Sequence, residues 1–165
     1  MCVALLARAG ECEYLMQTDS VKLTNYRVQL QARNASLDGM CAIKIIDGSI
    51  KGVVVNDFGI KAFAFSISPD RKKVTLQDVL PMLDHWYIKR VIKNDLKLLF
   101  NATSCNISNQ GKKTTIVVLD DGTIEMNNNK YNIKYLFSLT QDNEQEENDY
   151  QDDEPQFEID DETAE

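Results

Sequence analysis

The only histidine in the chain, His85, sits beside Asp84, and serine and cysteine side chains elsewhere offer nucleophiles for a hydrolytic triad. A triad needs nucleophile, base and orienting carboxylate to converge in space. No G-x-S-x-G elbow or comparable nucleophile signature accompanies His85. The competing reading, a surface or cap-proximal histidine at a helix start, is favoured because a catalytic site needs several converging groups. Cys2, Cys12, Cys41 and Cys105 form no C-x-x-C pair and lie far from His85 in sequence, which argues against a structural zinc site. The acidic residues after Gln141 lack the spacing of an EF-hand loop. The seven glycines are dispersed, mostly at turns, and build no phosphate-binding loop. No catalytic residue, metal ligand or cofactor is therefore expected, and the chain reads as a non-enzymatic protein.

What remains is apolar and aromatic. Phe58, Phe63, Phe65, Trp86, Tyr87 and Val91 are the candidates for lining a cavity between a sheet and a helix. The same residues serve equally well as ordinary packing, since protein interiors are close-packed. A concave sheet with a helix over its mouth is one way to hold an acyl chain, which requires only a dry slot. Periodicity does not distinguish a filled interior from a hollow one.

The elements that would position these residues are legible in the pattern. Tyr26 to Arg33 alternates, with Tyr26, Val28, Leu30 and Ala32 on one face and Arg27, Gln29, Gln31 and Arg33 on the other, as in a half-buried strand. Asn34 to Gly39 reads as a turn, and Met40 to Ile46 as a second strand. Asp47-Gly48 is a strong hairpin signal. Strands follow at Ile50–Val55, Ile60–Ser68 and Val74–Leu76, divided by Asn56-Asp57-Phe58-Gly59 and Ser68-Pro69-Asp70. The period then changes: Ile88, Val91, Ile92, Leu96 and Leu99 share one helical face, and Lys89, Arg90, Lys93 and Lys97 the other. Asp84 is the expected N-cap of this helix. Burying its five aliphatic side chains, at about 1.5–3 kcal/mol each, would dock it on the sheet. Three more strands, Thr114–Leu119, Thr123–Met126 and Tyr131–Leu139, are separated by Asp120-Asp121-Gly122 and Asn127-Asn128-Asn129. The fold class expected is α+β, mainly antiparallel β: a curved meander or half-barrel of about eight strands packed on one amphipathic helix.

Charge divides the chain. Of 26 acidic residues 13 fall within 141–165, where no Lys or Arg occurs; the remainder carries 18 basic against 13 acidic side chains, a net +5 beside an overall −8. Residues 141–165 are too polar to offset their ordering entropy and are expected to be a disordered acidic tail, with 21–140 as a single β-rich domain. Basic residues are scattered without interleaved aromatics, so nucleic acid is not an expected partner. Residues 1–20 are expected to be an N-terminal segment that could hold a truncated export signal. Val3-Ala4-Leu5-Leu6 followed by Ala7-Arg8-Ala9 matches the back end of an export signal, or else a short apolar element of a cytoplasmic protein. No stretch approaches the ~18 apolar residues of a membrane span. A disulfide such as Cys41–Cys105 is permitted in an oxidising compartment. Three glycosylation sequons, at Asn34, Asn101 and Asn106, are neutral evidence for surface loops.

The run Gly52-Val53-Val54-Val55-Asn56-Asp57-Phe58-Gly59-Ile60-Lys61-Ala62-Phe63-Ala64-Phe65, followed by Leu83-Asp84-His85-Trp86-Tyr87-Ile88-Lys89-Arg90-Val91, resembles a family of small uncharacterised Bacteroidetes envelope lipoproteins. Its strand and helix order is also similar to the LolA/LolB lipoprotein-carrier superfamily. The likeness covers roughly residues 26–100, and the last strands loosely. Cys12 follows Ala9-Gly10-Glu11, where a lipobox has a small residue just before its cysteine. The resemblance implies a curved antiparallel half-barrel closed by helices, a place in the periplasm or outer membrane, and a lipid or acylated protein as partner, with no catalytic residues. The basic helix face is then expected to meet anionic headgroups at a membrane surface. The alternative is an interaction module whose acidic tail captures a basic partner.

Overall fold

A computed structural model describes residues 11–107 and 113–140. The fold is α+β with mainly β content: eight antiparallel strands in one open sheet, and among the described residues one α-helix. The strands are β1 (Thr24–Ala32), β2 (Ala35–Ile46), β3 (Ser49–Asn56), β4 (Lys61–Ile67), β5 (Val74–Gln77), β6 (Thr114–Val118), β7 (Ile124–Asn128) and β8 (Ile133–Leu139). The helix α1 (Trp86–Asn101) lies between β5 and β6 in sequence.

The spatial order is β5-β4-β3-β2-β1-β8-β7-β6. Two meanders, one of five strands and one of three, are therefore joined through the pairing of β1 with β8, where Val28 faces Phe137. The first strand is central, and α1 belongs to the connection that carries the chain from one edge of the sheet to the other. Local patterns reveal each hairpin but not this long-range pairing, so a single meander is what the sequence predicts.

One face of every strand points to the core. Tyr26 and Val28 of β1 lie beside Cys41 and Ile43 of β2, then Ile50 and Val54 of β3, and Phe63, Phe65 and Ile67 of β4, all buried. Ile116, Ile124, Met126, Tyr135 and Phe137 continue that face across the three-stranded half. Gly52 is what lets Phe65 lie flat against its neighbour: a Cβ at Gly52 would sit 2.2 Å from the Phe65 ring across the strand pair. Ile92, Leu96, Leu99 and Phe100 of α1 cover this layer.

Two turn assignments change. β1 and β2 are joined by Arg33 and Asn34 alone, and β2 begins at Ala35, so the expected turn over Asn34–Gly39 is largely strand. Gly39 is paired on both sides, and a Cβ there would fall 1.9 Å from the Val55 carbonyl oxygen. Asn128, also expected in a turn, is the buried last residue of β7. In both places an available partner strand overrides local turn chemistry. Asp47 and Gly48 do form a two-residue hairpin turn, at φ of 52° and 78°.

The helix start also differs from expectation. His85, in extended conformation, occupies the N-cap without a side-chain hydrogen bond. Asp84 lies one residue too early and instead pairs with Lys89 at 2.6 Å. The helix end is tightly held: Arg71 donates to the Phe100 carbonyl at 2.5 Å, and Asn101 donates to the carbonyls of Lys97 and Arg71. A cation at the C-terminus also complements the helix dipole.

Residues 12–15 run along the same end of the helix, and Gln17 and Asp19 then bond to Tyr26 and Ile45 of the sheet. Leu15 donates to the Ala102 carbonyl, Met16 is buried in the core, and Cys12 bonds to Cys105. The disulfide is thus not the Cys41–Cys105 pair considered from sequence. Cys41 faces the core from mid-sheet, where burial pushes its thiol up to about 12, whereas Cys105 lies on the exposed segment after α1. The apolar Val3–Leu6 stretch with Ala7–Ala9, and the acidic tail, lie outside the described residues.

Candidate functional site: a groove beneath the start of the helix

Where β1 and β7 end and β6 and β8 begin, the sheet parts from α1 and leaves a groove of about 750 Å³. Ile88, Val91, Ile92 and Leu98 of the helix face Ala32 and Ile133 of the sheet across it. Trp86 and Tyr87 stand at the helix end of the groove, 73% and 53% exposed, with their rings edge to face at 6.0 Å. The volume lies within the usual range of small-molecule sites.

The six residues singled out from sequence separate cleanly. Trp86, Tyr87 and Val91 line the groove. Phe63 and Phe65 are buried in the filled core, with Phe65 stacked obliquely on Phe100 at 5.6 Å. Phe58 is 88% exposed in the β3–β4 turn, where Asn56 accepts hydrogen bonds from the backbone of Phe58 and Ile60. The structure therefore places these three away from the groove, because alternation fixes a residue's face and not its position along the sheet. His85 is exposed and stacks on Tyr87 at 5.5 Å. Among the described residues, no three His, Cys, Asp or Glu side chains gather as metal ligands.

The groove has a polar back wall that periodicity did not reveal. Asp95 is 1% exposed, one turn after Ile92 on the apolar face of α1. Its carboxylate accepts from the Tyr135 hydroxyl at 2.6 Å and from the Asn128 amide at 2.8 Å. Burial raises the Asp95 pKa, and the two hydrogen bonds oppose that shift. Burial beside this acid also pushes the Tyr135 phenol well above its ordinary range. Helix, β7 and β8 are thus tied together by a satisfied buried network, the arrangement that makes buried polar groups tolerable. An acidic residue within an apolar helical stripe was the available signal, but its partners come from strands more than thirty residues away.

The rim is positive. Arg33 from the β1–β2 turn, Arg90 from α1, Lys113 ahead of β6 and Lys130 from the β7–β8 turn all line the groove. Among the described residues none of them pairs with a carboxylate. Among the described residues Asp95 is the one acid in the lining, and its oxygens are engaged by Tyr135 and Asn128. No described helix is long and apolar enough to cross a membrane. Comparison of the chain with protein-family models and with curated proteins finds no match.

Proposed function

We propose that the protein is a non-catalytic binding protein of the bacterial cell envelope, holding a lipid or the acyl chain of an acylated partner in the groove beneath the start of α1. The observation that carries this reading is the contrast between a close-packed core and an apolar groove of about 750 Å³, with Trp86 and Tyr87 exposed beside it. Those rings offer rigid apolar area with polar tips, suited to a boundary between water and hydrocarbon. The Cys12–Cys105 bond supports an oxidising compartment such as the periplasm.

Native mass spectrometry of the full chain purified from its own envelope fraction tests the proposal. One lipid or acylated peptide per protein is expected. Ala32→Trp, which places a large ring in the groove, should remove it while the circular dichroism of the sheet is unchanged. Failure to retain any native or added acyl compound would sink the reading. Thiol alkylation of the same fraction should label Cys12 and Cys105 only after reduction.

A further inference from the structure

We infer that the groove selects a single-chain amphiphile with an anionic end, and specifically a long-chain fatty acid whose carboxylate is held by the four-cation rim. This rests on the groove being the ligand site. Size limits the number of chains: at roughly 30 Å³ per carbon, about the volume of a water molecule, a sixteen-carbon chain needs about 480 Å³ and two need about 960 Å³. The groove of about 750 Å³ holds the first within its walls, and a second chain would extend past its open side into water.

Charge then selects the headgroup. Arg33, Arg90, Lys113 and Lys130 come from four different parts of the chain and converge on one groove. Elsewhere on the surface, Arg27, Lys61, Lys89 and Lys134 have carboxylate partners at 2.6–3.4 Å, whereas Lys44, Lys51, Lys93 and Lys97 have none among the described residues, so what marks the rim is four unpaired cations lining one groove. The rim has none among the described residues, and Asp95 is occupied by Tyr135 and Asn128. Lys130 lies 5.1 Å over the Tyr131 ring, but a neutral lipid would leave Arg33, Arg90 and Lys113 without a complement. A carboxylate supplies it, and an arginine can meet both its oxygens at once. A fatty acid is the smallest molecule that provides one chain and one such end.

Titration of the full chain with palmitate, hexadecanol and a single-chain lysophospholipid of equal chain length tests this. Palmitate should bind at least about tenfold more tightly than hexadecanol, the equivalent of one charge-assisted hydrogen bond. Raising salt from about 50 to about 500 mM should weaken palmitate alone. Combined Arg33→Gln, Arg90→Gln, Lys113→Gln and Lys130→Gln should abolish the preference and leave hexadecanol binding unchanged. Lys44→Gln with Lys51→Gln, on the opposite face of the sheet, should change neither. Equal binding of palmitate and hexadecanol overturns the inference and leaves the groove as a lipid site. Tighter binding of the lysophospholipid than of palmitate also overturns it. Binding of palmitate only after removal of residues 141–165 would make the acidic segment the occupant of the rim, and the inference fails. Absence of binding by all three ligands removes the proposed function as well.

Discussion

The two halves of α1 lie on the same sheet and carry the same apolar stripe, yet they are held in opposite ways. The C-terminal half is locked. Leu99 is fully buried, Phe100 packs on Phe65, Arg71 and Asn101 bond the last turn, and Met16 with the Cys12–Cys105 bond closes the end. The N-terminal half starts without a side-chain cap and borders the groove, anchored by buried Ile92, by partly buried Ile88 and, at mid-helix, by the Asp95 network. The difference lies in what the sheet offers. Beneath the locked half it presents bulky residues, with Gly52 making room for Phe65; beneath the open half it presents Ala32 and the ends of short strands. A helix pinned firmly at one end and packed along a narrower stripe at the other keeps a groove open without weakening the fold.

Breaking the locked half should have the largest effect. Phe100→Ala removes a buried ring that joins α1 to β4 and should lower the unfolding free energy by about 3–5 kcal/mol in urea. Val91→Ala, on the open half, should cost well under half as much, because part of that side chain already faces the groove. Equal losses at the two positions would show that the groove closes in solution. Replacing both Cys12 and Cys105 by Ser comes next. The bond closes a loop with a sequence separation of 93, and its loss should cost about 2–4 kcal/mol, mostly through the unfolded chain. Palmitate binding should survive in this variant, since the bond lies at the locked end.

Sequence reading reached much of this arrangement, and its failures follow from identifiable physics. Each strand and the helix left a local mark, because alternation and helical spacing record which side of an element is buried. The pairing of β1 with β8 left none, since it joins residues about 110 apart. That pairing sets where the sheet ends and hence where the groove opens. Trp86, Tyr87 and Val91 were identified by aromatic and helical position, while Phe63 and Phe65, chosen on the same grounds, belong to the filled core. The cations of the rim were scattered in sequence and gather only in three dimensions. Asn128 looked like a turn residue because asparagine favours turns, and only its neighbours on β7 and Asp95 reveal its role.

Asp95 allows a finer test at the boundary between the two halves. Its folded pKa is raised by burial, so the folded state binds a proton more tightly than the unfolded chain does. The stability this contributes is fully present below the ordinary carboxylate range and is lost as pH rises through the raised value. Relative to Asp95→Asn, which cannot titrate, the wild type should therefore gain stability as pH falls from neutrality through that window. Unfolding both proteins in parallel over the same pH range isolates this term from the exposed carboxylates Asp19, Asp70, Asp84 and Asp121, whose pKa values are lowered and which both proteins share. A difference curve that is flat with pH would show that burial does not dominate at Asp95, its effect being cancelled by solvent or by the hydrogen bonds from Tyr135 and Asn128.

The smallest change in stability is expected at Trp86, and it is the most discriminating for the open half. With 73% of its surface exposed, Trp86→Ala should alter unfolding free energy by no more than about 0.5 kcal/mol. If the ring only decorates the surface, ligand affinity will be equally unmoved. If it covers a bound chain, burial of an aromatic face on binding gives it a role in the complex that it lacks in the free protein. Affinity for palmitate should then fall about tenfold or more while stability stays level. Phe58→Ala is the matched control: a still more exposed ring in the β3–β4 turn, away from the groove, whose removal should change neither quantity.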